Sequence, residues 1–278
     1  MDIRQRPIGV FDSGLGGLTV VQALRDLLPA EDLVYLGDTA NYPYGERTLD
    51  EVRSFAFDIA DDLIARGIKL LVVACNSATA AALDDLRREV PVPVIGVVDP
   101  GLRAAAKTTR TGRVLVIGTR LTTTSRIYEL AASRLGHQMQ VTSLACPEFV
   151  ELVENGLADH PQARLVISER LDPMLSARVD TMVLGCTHFP LLARPLSEVV
   201  GRRITLVSSA DETAFEVRDL LVRTGWSRPL EDGVGHLTVL TTGDVASFHR
   251  LGGRFLGGPP LDVRHHVLGV SEGLRIAR

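Results

Sequence analysis

Two of the three cysteines in this sequence, Cys75 and Cys186, stand where a thiol can act as an acid or a base. Each closes a short apolar run and is followed at once by hydrogen-bonding side chains, Asn76 and Ser77 after the first and Thr187 and His188 after the second. Taken alone, a cysteine at a strand end is most often a small buried hydrophobe. A matched pair says more, because the start of a helix stabilises a thiolate and draws a thiol pKa of roughly 8.5 towards neutrality. Two thiols facing each other across a cleft would reach a bound molecule from opposite sides. That arrangement suits taking a proton from one face of a carbon and returning one to the other, as a racemisation requires. The competing reading is a disulfide, which sulfurs held about 7 Å or more apart by an intervening substrate cannot form. Cys146 lacks such neighbours and reads as structural.

Other groups stand where they can tune these thiols. Asp12 ends the first apolar run and would lie near Cys75, where a carboxylate can accept or orient a proton; His188, two residues after Cys186, can do the same on the other side. The bland alternatives are a helix cap for Asp12 and a structural hydrogen bond for His188. Other chemistries are poorly supplied. The stretch GLGGLT has neither the GK[ST] of a phosphate loop nor the third glycine of G-x-G-x-x-G. HExxH is absent and the cysteines are too scattered for a simple zinc finger, so no metal is expected. A cysteine phosphatase would carry an arginine six positions after its thiol, where Ala81 and Leu192 stand. The pair His265 and His266 reads as a solvated tail.

The elements that must position these residues are legible as repeated apolar runs at 8–11, 33–36, 70–74, 92–97, 114–117, 140–144, 181–184 and 204–207. Each is followed by a stretch of helical period, the pattern of βαβ units around a mostly parallel sheet. Their starts advance by 25, 37 and 22 residues in the first four and by 26, 41 and 23 in the second four. The first run of each set ends in a hydroxyl-bearing turn, FDSG and IGTR, and the third in a cysteine, ACNS and GCTH. The fold class expected is therefore α/β, two pseudo-symmetric lobes, each a mostly parallel sheet flanked by helices, with the active site in the cleft between them. Lobe 1 is assigned to 1–97 with 208–278 and lobe 2 to 98–207, the prolines and glycine at 91, 93, 100 and 101 marking the crossing. The C-terminal stretch, with a helical pattern at 212–221, a strand-like HLTVLTTGD and a helix starting near Val245, is expected to pack back on lobe 1. The last twenty residues, rich in Gly and Pro, are expected to be loosely held. Ligands of open parallel sheets collect at the carboxyl ends of the strands, so four loops should meet at one cleft: FDSGLGGLT, GDTANYPYGE, CNSAT and CTHF.

Bulk properties agree with such a fold. The 278 residues are 45% hydrophobic and 23% charged, ordinary globular usage. A net charge of −4 without long like-charge runs argues against a nucleic-acid surface. No apolar stretch approaches membrane-spanning length, and the N-terminal MDIRQRPIGVFDSG lacks one of signal-peptide length, so a cytoplasmic protein is expected. Lysine occurs only at Lys69 and Lys107, and Lys69, at the entrance to a strand, is poorly placed for a Schiff base.

The segments IGVFDSGLGGLTV (8–20), GDTANYPYG (37–45), ACNSATA (74–80), CPEFVELVENG (146–156), GCTHFP (185–190) and TTGD (241–244) together resemble the glutamate racemases of the aspartate/glutamate racemase superfamily. The resemblance implies cofactor-independent interconversion of L- and D-glutamate, supplying the D-isomer for peptidoglycan, and a homodimer. It places the two acid/bases on Cys75 and Cys186, and assisting groups on Asp12, His188 and Glu154. Substrate contacts fall on Asp12, Ser13, Tyr44, Gly45, Asn76, Ser77, Thr187 and His188. Ser77 stands where the family usually has threonine, which keeps the hydroxyl. Residues after Gly258 match no motif of the family. Without pyridoxal phosphate the carbanion must be stabilised electrostatically in a closed, dry cleft, so lobe motion on binding is expected. Alternatives that keep two thiols are racemisation of aspartate or a hydantoin, chemistry on maleate, a binding protein with merely packed cysteines, and a redox protein with a Cys75–Cys186 disulfide.

Overall fold

In the computed structural model, which describes residues 2–136, 139–175, 178–256 and 262–269, the eight apolar runs each form a strand, and the C-terminal stretch adds two more. They are β1 (Ile8–Asp12), β2 (Leu33–Gly37), β3 (Leu70–Val73), β4 (Val94–Gly96), β5 (Arg113–Gly118), β6 (Gln140–Ala145), β7 (Thr181–Gly185), β8 (Thr205–Ser208), β9 (Leu237–Thr241) and β10 (Val263–His265). They build two sheets, of order β10-β9-β2-β1-β3-β4 and β6-β5-β7-β8, in which every pair is parallel. The order β2-β1-β3-β4 repeats as β6-β5-β7-β8, so the recurrence of intervals in the sequence corresponds to a recurrence of topology. Helices cover the faces, which explains why the central strands β1, β3 and β7 are buried throughout and mostly apolar.

Helix boundaries follow from local chemistry. Thr48 and Glu51 form a reciprocal capping box at the start of Leu49–Ala65, and Gly67, at φ +80°, takes the chain out of it. The helix Asn76–Glu89 leaves β3 directly, with Cys75 as its N-cap. The helix Val98–Thr108 packs on β7 and β8 of the second sheet, while Ser209–Thr224 packs against both Val98–Thr108 and Leu18–Leu27. That last helix is thus wedged between the helical layers of the two sheets.

The C-terminal stretch returns to the first sheet through β9, which pairs with β2, as its pattern leads one to expect. Of the last twenty residues, expected to be loosely held, the described stretch 262–269 is tied to the rest of the fold. Val263–His265 adds a further parallel strand beside β9. His266 is not a solvated side chain: its backbone N–H donates to Thr241 O, and its Nε2 lies 2.7 Å from Asp62 Oδ1. Residues 257–261 and 270–278, including Gly258, lie outside the described residues.

Candidate functional site

All strands of a sheet run the same way, so the loops at their carboxyl ends gather at one side, and the two sheets present those ends to a shared cavity of about 250 Å³. This is below the roughly 300–1,000 Å³ of sites for drug-sized ligands and suits a small metabolite. β1 contributes Ser13, the loop after β2 contributes residues 42–46, β3 leads into Cys75, Asn76 and Ser77, and β7 leads into Cys186, Thr187 and His188. All four anticipated loops line the cavity. The second sheet adds Thr119 after β5, and Pro147, Val150, Glu151 and Glu154 from the helix Pro147–Glu154.

Cys75 and Cys186 both reach this cavity, one from each sheet, and both are free thiols. Cys75 accepts a hydrogen bond from the Ala78 N–H at 3.5 Å, and its S–H faces Ser13 Oγ at 3.8 Å. The expectation that a helix start draws this thiol towards neutrality does not hold. Burial, reinforced by the charge of Asp12, pushes the Cys75 thiol well above its ordinary value, and the contacts with Ala78 and Ser13 only partly oppose this. Cys186 differs from its counterpart. The segment after it is a 3₁₀ turn, Phe189–Leu192, rather than an α-helix, so its polar partner is a side chain instead of a helix start. His188 Nδ1 lies 3.8 Å from the Cys186 sulfur.

His188 is fully buried and bridges two groups, since its Nε2 lies 3.3 Å from Glu154 Oε1. Burial pulls the imidazole pKa down, but the contacts with Cys186 and Glu154, with the charge of Asp12, outweigh it and raise the value to about 10. These contacts bias the ring towards its charged form. Burial works to raise the Glu154 carboxyl, yet hydrogen bonds from His188 and Tyr42 leave it below its ordinary value. Tyr42 also lays its ring beside that of His188, with centroids 6.2 Å apart.

Asp12 stands apart from the other expected contacts. It is fully buried behind the cavity wall, where its Oδ2 accepts from the Gly17 N–H at 2.8 Å and from Thr187 Oγ1 at 3.5 Å. Its Oδ1 has no hydrogen-bond partner among the described residues. Tyr44 lines the cavity, but its hydroxyl is committed to Asp38 Oδ2 at 2.6 Å. Gly45 lies so near the second sheet that a Cβ there would come within 2.8 Å of the Thr119 Cβ. Ser77 Oγ bonds Thr119 Oγ1 at 2.9 Å and Thr122 Oγ1 at 3.3 Å, a hydroxyl cluster joining the two sheets' loops. Asn76 accepts from the Tyr128 hydroxyl at 2.7 Å, while its Nδ2 is buried without a partner among the described residues.

Cys146 is buried, points its S–H at Leu144 O, and has its thiol pushed up to about 12 by burial and the neighbouring Glu148 charge, in keeping with an inert thiol. Sequence reasoning missed Tyr42, Thr119, Thr122 and Tyr128. Tyr42 and Thr119 lie in stretches quoted for other residues; nothing local marks Thr122 or Tyr128. Among the described residues, no group of three or more His, Cys, Asp or Glu side chains is arranged to hold a metal ion.

A family model described as Asp/Glu/Hydantoin racemase matches residues 8–216. The chain belongs to this racemase family. Within the family it is similar to the glutamate racemase of Exiguobacterium sibiricum, 46% identical over 267 residues that cover 96% of this chain and 98% of the relative. Among solved structures it is similar to the glutamate racemase of Bacillus anthracis, with a TM-score of 0.91 and 40% identity over 95% of this chain and 98% of that one. The glutamate racemase of Francisella tularensis in complex with D-glutamate matches with a TM-score of 0.89 at 29% identity, covering 95% of this chain and 98% of that one. The motif resemblance therefore extends to nearly the whole chain in both sequence and fold, and the chain is an amino-acid racemase of the glutamate racemase type.

Proposed function

We propose that the chain interconverts L- and D-glutamate by two-base proton transfer, with Cys75 and Cys186 as the two acid/bases. The observation that carries this reading is that one thiol from each of two sheets of matching topology lines a single small cavity. One sulfur, as thiolate, takes the proton from Cα while the other, as thiol, delivers its own to the opposite face. The configuration inverts, and the two sulfurs exchange protonation states. The buried Cys75 needs a partner charge to ionise, and an arriving substrate ammonium supplies one. On the other side, the His188 imidazolium can replenish the proton of Cys186, while Glu154 holds the ring in place.

Binding is local, since a net charge of −4 offers glutamate, with two carboxylates against one ammonium, no long-range attraction. The N–H groups opening Asn76–Glu89, the Asn76 amide, and the hydroxyls of Ser13, Ser77 and Thr187 supply donors for the carboxylates. Asp12, through its link to Thr187, places negative charge near the ammonium. Tyr44 and Gly45 shape the wall that faces Thr119.

The test is circular dichroism of the purified protein with L-glutamate and then D-glutamate, with no added cofactor. Loss of optical activity from both sides supports the reading, and faster turnover of aspartate or a hydantoin than of glutamate overturns the choice of substrate. The same reading assigns the product to peptidoglycan synthesis, and the three free thiols fit a reducing cytoplasm. No helix among the described residues is long and apolar enough to cross a membrane. Lobe 1 as 1–97 with 208–278 and lobe 2 as 98–207 is supported by sheet membership, and limited proteolysis that cuts first near 97 or 208 would support it further. The homodimer is tested by sedimentation equilibrium.

A further inference from the structure

We propose that Tyr128, which lies outside the cavity lining, is a positioning residue: its hydroxyl fixes the Asn76 amide so that the NH₂ end faces the cavity and receives a substrate carboxylate. The proposal rests on the reading of the cavity as a glutamate site.

An amide side chain has one accepting end and one donating end, and its orientation is set by its partners. Here Tyr128, on the helix Ile127–Arg134 of the second sheet, donates to Asn76 Oδ1 at 2.7 Å. The phenol is fully buried, and its proton has Asn76 Oδ1 as its acceptor among the described residues. Turning the amide over would strip that proton of its acceptor, so the amide is held one way round. Burial, with the charge of Cys186 adding to it, pushes the phenol above its ordinary value, so the hydroxyl remains a donor across the working pH range. The other end of the amide, Nδ2, is buried with no partner among the described residues, and Asn76 lines the cavity. A buried amide nitrogen without an acceptor is costly unless a ligand supplies one. The ring is also held closely, since a Cβ on Gly185 would meet it at 3.3 Å, which restricts where the hydroxyl can go. Because Asn76 and Tyr128 stand on helices that follow strands of different sheets, the correct amide orientation exists only when the two lobes stand in register.

The experiment compares kcat and KM for both enantiomers in the unaltered protein, Tyr128→Phe, Asn76→Ala and the double variant. Tyr128→Met, which fills the niche without a hydroxyl, and thermal melting of every variant run in parallel. Tyr128→Phe is expected to raise KM about tenfold, with kcat changing less than about threefold, the size of one lost hydrogen bond to a charged group. In the Asn76→Ala background the same change should alter KM less than twofold, because there is no amide left to orient. Unchanged KM in folded Tyr128→Phe and Tyr128→Met would overturn the proposal. So would an equal KM rise in the Asn76→Ala background, or failure of both variants to fold, which would mark the hydroxyl as structural. Failure of the unaltered protein to racemise glutamate would instead refute the functional reading.

Discussion

The imidazole of His188 lies 3.3 Å from the Glu154 carboxylate, and its other nitrogen faces Cys186 at 3.8 Å, so a single buried ring links the Cys186 sulfur to a half-exposed carboxylate. A ring so placed can pass a proton between the sulfur and the cavity rim without opening the cavity.

This linkage fixes a pH dependence. His188 is raised from 6.5 to about 10 partly by its bond to Glu154. Glu154→Gln removes the charge from that bond, and the alkaline limb of kcat/KM should move down by about 1 pH unit. A profile superimposable on that of the unaltered protein would show that the contact does not tune the site. Stability follows the same sign. A histidine whose folded pKa is raised contributes stability that is complete below about 6.5 and is lost as pH rises through about 10. The raised Cys75 thiol adds a loss of the same sign, starting near its ordinary 9.0. In a Cys75→Ser background the urea midpoint should therefore still fall from pH 6.5 to 10. Adding His188→Gln should flatten that fall.

For the thiols, Cys75→Ser and Cys186→Ser should each lower racemisation by about 10²–10⁴-fold, the usual worth of a positioned acid or base. Exchange of the Cα proton with solvent deuterium should persist, if at all, from one enantiomer in each variant. Full activity in both would end the two-base assignment. Merely packed cysteines predict no change in chemistry at all.

The four loops at the strand ends were legible in the sequence because buried parallel strands read as apolar runs that stop abruptly in polar residues. Leu70–Val73 followed by Cys75-Asn76-Ser77 is such a case. What escaped is long-range. The bond from Tyr128 to Asn76 spans 52 residues and that from His266 to Asp62 spans 204, and neither leaves a local pattern. The direction of the Cys75 shift escaped for another reason. The helix start is visible in sequence, whereas desolvation of the sulfur depends on the whole fold closing over it. Tyr44 was visible as a site residue, but the commitment of its hydroxyl to Asp38 needed the structure.

The glycines of GLGGLT, which match no phosphate loop, have a steric use. A Cβ at position 16 would stand 2.2 Å from Thr187 Oγ1 and 2.8 Å from His188 Nδ1. Gly16→Ala must therefore displace the loop that carries Cys186 or hold the two lobes apart. Loss of kcat by about a hundredfold is expected, on the scale of a misplaced catalytic group, with a cooperative melt retained. Unimpaired kcat would show that the lobes work in a more open arrangement.

At the opposite ends of the strands, Lys69 and Glu31 form a buried ion pair whose worth can be separated from catalysis. Lys69 Nζ lies 2.5 Å from Glu31 Oε2 and also donates to Arg4 O and Trp226 O, while Glu31 Oε1 accepts from the Arg228 N–H. Four chain segments distant in sequence thus meet on two charges. Burial pulls the Lys69 ammonium below its ordinary pKa, against the pull of Glu31. Glu31→Gln leaves that ammonium uncompensated and should cost about 3–5 kcal/mol, lowering Tm by on the order of 10 °C. Lys69→Met with Glu31→Leu removes both charges together and should recover much of that loss. Racemisation per folded molecule should stay within about twofold in the double variant, since neither group touches the cavity. A Schiff-base role for Lys69 predicts the opposite, a fully folded Lys69→Met without activity. Equal melting temperatures for Glu31→Gln and the unaltered protein would show that the pair contributes nothing to the fold.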